Sequence, residues 1–354
     1  MTETAPLLEA LDNRVKRREE RRDFFKSALG IAAVGTGAMV VASAAQAQAV
    51  NQDAAILNFA LNLEYLEAQF YSFAAFGEGL NATLLSGVTT TGAQGAVATN
   101  AGAGRPRQVD FSGERLIGQY AREIAADEIA HVAFLRTALG GNAVAQPAIN
   151  ISGDANGAFT GAARAAGLIG ATETFDPYAS PNNFLLGAFI FEDVGVTAYK
   201  GAAPLLTSKV FLEAAAGILA VEAYHASILR TVLYARGIAT PAAPDAGVQG
   251  GQLIGATELI STLRDRSDGN PALDLIRGIG PDDDQGIQPM PLAVNGNSGT
   301  ASNIAPLNQN GLAYSRTPGQ VLSIVYNQPA PNGASMGGFF PMGVNGTFRA
   351  SAAS

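Results

Sequence analysis

The stretch EIAADEIAHVAFLRTALG, Glu123–Gly140, holds one of the only two histidines in the chain. His131 stands three residues after Glu128, and the second histidine, His225 in VEAYHASILRTVL, stands three residues after Glu222. Glutamate fills 15 of 354 positions. Random placement would therefore put a glutamate at that offset from both histidines about 0.2% of the time. The match extends outward. Aligned on their histidines, Leu135-Arg136-Thr137 coincides with Leu229-Arg230-Thr231. Glu64 lies seven residues before Tyr71, and Glu192 seven before Tyr199; aligned on these glutamates, Leu57, Ala60, Ala74 and Ala75 match Leu185, Ala188, Ala202 and Ala203. Two copies of one unit stand in tandem.

Apolar residues at helical spacing make each copy a helical hairpin. The first helix is predicted over NQDAAILNFALNLEYLEAQFYSFAAF, free of Pro and Gly until Gly77. The second is predicted from Ser112, as N-cap, to Leu139, where Gly140-Gly141 stops it. The third starts at Ser180-Pro181, with Pro at its favoured first position, and ends near Pro204; the fourth runs from about Thr207 to Arg236. Residues 78–112 and 142–180 read as long connections, the latter with a short helix near 159–169. Beyond residue 240 the chain turns dense in Gly, Pro, Asn and Asp, with helical character at 252–266 and 317–327. So much irregular chain usually wraps something. The expected fold class is all-α: a four-helix bundle built from a duplicated hairpin, with long loops and an irregular C-terminal extension. The expected division is 1–49 leader, 50–239 bundle and 240–354 extension.

The leader reading rests on KRREERRDFFKSALGIAAVGTGAMVVASAAQAQA: a basic segment, a mildly apolar run, and cleavage patterns ending at Ala47 or Ala49. Arg21-Arg22-Asp23-Phe24-Phe25-Lys26 looks like a twin-arginine (Tat) export motif, although Glu20 and Phe25 depart from the usual pattern. An uncleaved membrane anchor is the competing reading. A cleaved leader implies a periplasmic or secreted protein and the Tat export machinery as a partner. Without residues 1–49, Lys+Arg falls from 22 to 15 and Asp+Glu from 30 to 24, leaving a net charge of −9. Such a surface repels nucleic acid. The absence of Cys excludes disulfides, thiolate metal sites and cysteine nucleophiles. Asp282-Asp283-Asp284 lacks calcium-loop spacing and reads as an exposed acidic turn.

On a helix, positions i and i+3 share a face, so Glu128 projects with His131 and Glu222 with His225. If the hairpins pack about a pseudo-twofold axis, Glu64 and Glu192 join them inside. Four buried carboxylates without cations would carry a penalty of several kcal/mol each. Two divalent ions would neutralise them. One Glu from each of two helices plus a Glu-x-x-His from each of the others is the di-iron or di-manganese carboxylate ligand set.

With these residues in hand, the chain resembles the ferritin-like superfamily over about residues 51–236, within the exported branch that includes desiccation-related proteins. The resemblance implies Glu64 and Glu192 as terminal ligands, Glu128 and Glu222 as bridges, and His131 and His225 each capping one of two ions, iron or manganese. Glu67, one helical turn past Glu64, is an alternative ligand, although the repeat maps it onto Gly195. Tyr71 and Tyr199 read either as core aromatics or as hydrogen-bond donors to ligand carboxylates. Arg136 and Arg230, five residues past the histidines, are expected to point elsewhere, into ion pairs. The partners are then a small oxidant or metal ions, with a homo-oligomer left open. Two functions follow: redox chemistry on peroxide, dioxygen or ferrous iron, or a non-enzymatic stress and desiccation-related role. Iron storage is a third.

Overall fold

The computed structural model describes residues 44–99, 102–239, 245–269, 284–328 and 333–352. The chain divides into two units, Met1–Val50 and Asn51–Ser354. The twin-arginine segment and the apolar run up to residue 43 lie outside the described residues, as do Asp282 and Asp283. The second unit carries the fold discussed below, and the extension from residue 245 onward packs into the same unit as the bundle.

Seven helices and one hairpin are described: α1 (Ala44–Phe76), α2 (Arg115–Leu139), α3 (Ala158–Ala166), α4 (Pro181–Ala202), α5 (Lys209–Gly237), α6 (Leu253–Asp268), β1 (Met290–Val294), β2 (Asn297–Ala301) and α7 (Pro318–Val325). Helices α1, α2, α4 and α5 are the duplicated hairpins. Local chemistry sets their ends. Ser180 caps α4 by accepting from the Asn183 amide ahead of Pro181, and Ser208 caps α5 through the Phe211 amide. Gly140 ends α2 at a positive φ of 54°. The expected cap at Ser112 is not formed. Its amide donates to Asp110 Oδ1 at 2.9 Å in a local turn, and α2 begins three residues later, with Glu114 diverted to an ion pair with Arg236 at 2.7 Å.

The long connections run beside each other, touching through isolated parallel bridges at Val88–Val144 and Val97–Ile149. Asn345, from the extension, fastens them to α1. Its amide and carbonyl pair with the side chain of Asn62, while its Nδ2 donates to Ala93 and Ala145 carbonyls. On the other side α6 packs on α3, α4, α5 and α7, and α7 on α4. Helix α4 is therefore central, with 18 of its 22 residues buried, whereas α2 has 10 of 25 and α5 has 9 of 29. The extension and connections close the α1/α4 side of the bundle. The α2/α5 side keeps a solvent face.

The extension is held by buried charge. Asp193 on α4 accepts from Arg230 of α5 at 2.8 Å and from Arg264 of α6 at 2.9 Å. Arg264 continues to Asp284 at 2.7 Å, Asp284 to Arg316 at 2.9 Å, and Arg316 to Asp268 at 2.5 Å. Three arginines thus balance three aspartates, all but excluded from water. Asp284 is the correction to the exposed acidic turn: two guanidinium groups hold it inside. Balanced pairs of this kind stabilise little relative to apolar packing, but losing one partner strands the other. Asp284→Ala should therefore destabilise the protein by about 3–5 kcal/mol in urea unfolding. A loss below about 1 kcal/mol would show that the network does not hold the extension.

Candidate metal centre

Each bundle helix sends one glutamate, Glu64, Glu128, Glu192 or Glu222, to a common region of the interior. Glu64, Glu128 and Glu222 have no solvent exposure, Glu192 has 1%, His225 2% and His131 9%. His131 Nδ1 lies 3.1 Å from Glu64 Oε2, 3.4 Å from Glu128 Oε2 and 3.8 Å from Glu222 Oε1. His225 Nδ1 lies 3.0 Å from Glu128 Oε1 and 3.4 Å from Glu192 Oε2. The ring centroids are 6.4 Å apart. Two groups of donor atoms could each hold an ion: Glu64, Glu128, His131 and Glu222 in one, and Glu128, Glu192 and His225 in the other. Glu128 faces both groups with one oxygen each.

The two tyrosines cross-link the halves of the repeat. Tyr71 donates to Glu192 Oε1, and Tyr199 donates to Glu64 Oε1, so each copy's tyrosine holds the other copy's glutamate. Burial, reinforced by Glu192 beside Tyr71 and by Glu64 beside Tyr199, pushes both phenols well above their usual pKa. Each stays a neutral donor.

Burial also governs the carboxylates. It raises Glu64 from the usual 4.5 to about 7 against the pull of His131. It raises Glu222 and Glu67 well above the usual range, with help from neighbouring carboxylates, and raises Glu192. For Glu128 burial is outweighed by the two imidazoles, chiefly His131, and the pKa is lowered. Both histidines are raised, because the surrounding carboxylates overcome burial. Even so, both oxygens of Glu128 and of Glu222, Glu192 Oε2 and His225 Nδ1 find no hydrogen-bond partner. Their short contacts are approaches of charge rather than directed bonds. Native interiors leave few buried polar atoms in that condition. Here the stranded lone pairs converge on one another. Oxygen and imidazole donors are also the set that suits iron and manganese, so the residues fit such ions.

The halves are not equivalent. Glu222, unlike Glu128, enters only one group. Its Oε2 turns to Gly195 of α4, where any Cβ would collide with it, and Glu67 Oε1 lies 3.5 Å from that same point. In the other half Glu67 itself occupies the position matching Gly195, which leaves Glu128 no such recess. Glu67 is buried but belongs to neither group. The motif arginines do point elsewhere. Arg136 donates to the Tyr65 hydroxyl and the Ser86 carbonyl, neutral partners rather than an ion pair, and Arg230 joins the buried network through Asp193. Sequence reasoning passed over Asp127, whose Oδ2 lies 3.5 Å from His225 Nε2. Its signal, an Asp directly before the motif glutamate, is legible only once α2 and α5 are seen to face each other.

Comparison with known proteins gives the family. The chain is 30% identical over 277 residues to the desiccation-related protein PCC13-62 of Craterostigma plantagineum, covering 76% of each chain. It is 28% identical over 298 residues to the ferritin-like catalase Nec2 of Nesocodon mauritianus, covering 83% of this chain and 84% of that one. No solved structure matches significantly. The family profile of the ferritin-like domain matches residues 52–235, which span all four bundle helices up to Ala235 of α5, and the chain belongs to that family.

Proposed function

We propose that the protein binds two iron or manganese ions between Glu64, Glu128, His131, Glu192, Glu222 and His225, and that the loaded centre disproportionates hydrogen peroxide. The observation that carries this reading is the convergence of buried, unpartnered carboxylate oxygens with His225 Nδ1 at one point. Bound ions that change oxidation state supply a store for two electrons. With that store, one peroxide would be reduced to two waters by two electrons and two protons, and a second, giving up two electrons and two protons, would be oxidised to dioxygen. No separate electron carrier is required. The name of the catalase relative favours peroxide over dioxygen or ferrous iron as the substrate.

The chain's own residues prepare the site. Tyr71 and Tyr199 fix Glu192 and Glu64 across the repeat, so these carboxylates are oriented before anything binds. Glu67, raised by burial and by its carboxylate neighbours, holds a proton at the edge of the cluster. The closed α1/α4 side excludes water, which leaves His131 and the partly exposed Asp127 as the approach from the α2/α5 side. Export by the twin-arginine route, which carries folded proteins, agrees with loading metal before export. The second reading is a non-enzymatic, desiccation-related role, favoured by the name of the 30% identical relative.

An oxygen electrode separates the two. Manganese- or iron-loaded protein should release one O2 for every two peroxides consumed, and His131→Ala should reduce this to background. Stable metal loading without peroxide consumption would reject the catalase reading in favour of the second.

The metal-free cluster also makes stability depend on pH. The unfolded chain releases the Glu64 proton near 4.5, while the folded chain keeps it to about 7, so stability is lost as pH rises across that interval. The raised Glu222, Glu67 and histidines act in the same direction; Glu128, being lowered, matters only in more acidic solution. Bound cations take over the charge. The rise in melting temperature on adding Mn2+ should therefore be larger near pH 8 than near pH 5, and an equal rise at both would contradict this electrostatic account.

A further inference from the structure

We propose that the covered α1/α4 side of the centre holds a dry, two-chambered seam that takes up dioxygen; that this dioxygen is the product of the centre rests on the peroxide reading above. Two voids lie between α1 and α4. The inner one, about 20 Å³, is bounded by Leu63 and Glu67 of α1, Val194 and Gly195 of α4, Ile324 of α7 and Phe339. The outer one, also about 20 Å³, is bounded by Ile56, Ala60 and Leu63 of α1, Tyr199 and Ala202 of α4, and Leu206. Leu63 is the wall they share. The inner void meets the centre at Gly195, where a Cβ would collide with Glu222 Oε2. The outer void runs towards Ala202 and Leu206, both slightly exposed.

The lining selects for an apolar guest. Among the described residues around the inner void only Glu67 is polar, and around the outer void only Tyr199, whose hydroxyl is committed to Glu64. Each void has room for a molecule about the size of water. Water itself needs several polar partners to be held in such a place, and peroxide, with two hydroxyl groups, would leave them unpaired at a cost. Dioxygen has no hydroxyl to leave unpaired, and an apolar molecule gains by leaving water for apolar surroundings. The two sides of the centre therefore differ in what they admit: polar peroxide from the α2/α5 side, apolar dioxygen on the α1/α4 side. The absent side chain at Gly195 is what joins the seam to the centre. In the other copy Glu67 fills the matching position, so the opening belongs to one half of the repeat.

The test is methyl NMR of the metal-free full chain under raised dioxygen pressure, because the unpaired electrons of dioxygen speed the relaxation of methyl groups beside it. Methyls of Ile56, Leu63, Val194 and Ile324 should relax several-fold faster than those of Leu139 and Ile260, which are comparably buried but line neither void. Leu63→Ala, which merges the voids, should strengthen the effect at Val194 and Ile56, and Leu63→Phe, which fills them, should abolish it. Leu63→Ala alone decides the matter if Leu63→Phe does not fold. If the metal-loaded protein releases dioxygen from peroxide, yet the lining methyls relax no faster than Leu139 and Ile260 in either the wild type or Leu63→Ala, this inference alone falls. Fast relaxation of the lining methyls in a protein that releases no dioxygen upholds the seam as a gas site and overturns its link to the centre's product, together with the peroxide reading.

Discussion

Five carboxyl groups and two imidazoles share one water-excluded volume in this protein, and their mutual repulsion is the constraint that the surrounding structure answers. Burial alone drives carboxyl groups towards their neutral form, as it does for Glu64, Glu67, Glu192 and Glu222. The histidines offset part of the charge, and the two tyrosines satisfy one oxygen each on Glu64 and Glu192. Both Glu128 and Glu222 oxygens remain without hydrogen bonds. Residues chosen for stability alone would not be left in this state, since an apolar core of the same volume would be the more favourable filling. The cluster therefore reads as a site kept for what it binds.

Duplication explains how such a cluster is assembled, and the departures from symmetry explain how it is differentiated. The repeat places Glu64 opposite Glu192, and the motif pairs on α2 and α5 opposite each other. Each tyrosine reaches across to the other copy, so neither hairpin can complete the centre alone. The deviations are few and local. Gly195 in place of Glu67 opens a recess beside Glu222, and Val221 stands where the other copy has Asp127. Outside the bundle, the extension covers α4 through the Asp193–Arg264–Asp284–Arg316 chain of ion pairs and clamps α1 through Asn345. The α1/α4 side of the centre is covered, while on the α2/α5 side His131 keeps 11% and Asp127 31% of its side-chain exposure.

The bundle was legible because it is written twice: a 3.6-residue apolar period, the Ser180-Pro181 start of α4, and the paired motifs all point to the same four helices. Long-range charge was not legible. Nothing near Asp284 in sequence shows that Arg264 and Arg316 will enclose it, so an acidic run read as surface. Helix α2 is capped two residues later than its sequence suggests, at Glu114 rather than Ser112, because Ser112 and Asp110 form a local turn that competes with a cap. The β1–β2 hairpin was also passed over, although Asn295-Gly296, both at positive φ, is the turn pair that right-handed strand twist favours. Its strands are short and solvent-exposed, so no apolar alternation announced them. At the site, the six candidate ligands could be proposed from spacing alone, whereas the recess at Gly195 and the approach of Asp127 to His225 depend on how neighbouring helices face.

The most direct measurement is the metal content of the protein purified from its native host by elemental mass spectrometry, beside Glu128→Ala and Glu222→Ala variants shown to be folded by circular dichroism. The account predicts about two iron or manganese ions per chain in the wild type, with the greater loss in Glu128→Ala because Glu128 alone faces both donor groups. A folded wild type without bound metal, or variants that retain the full complement, would contradict it.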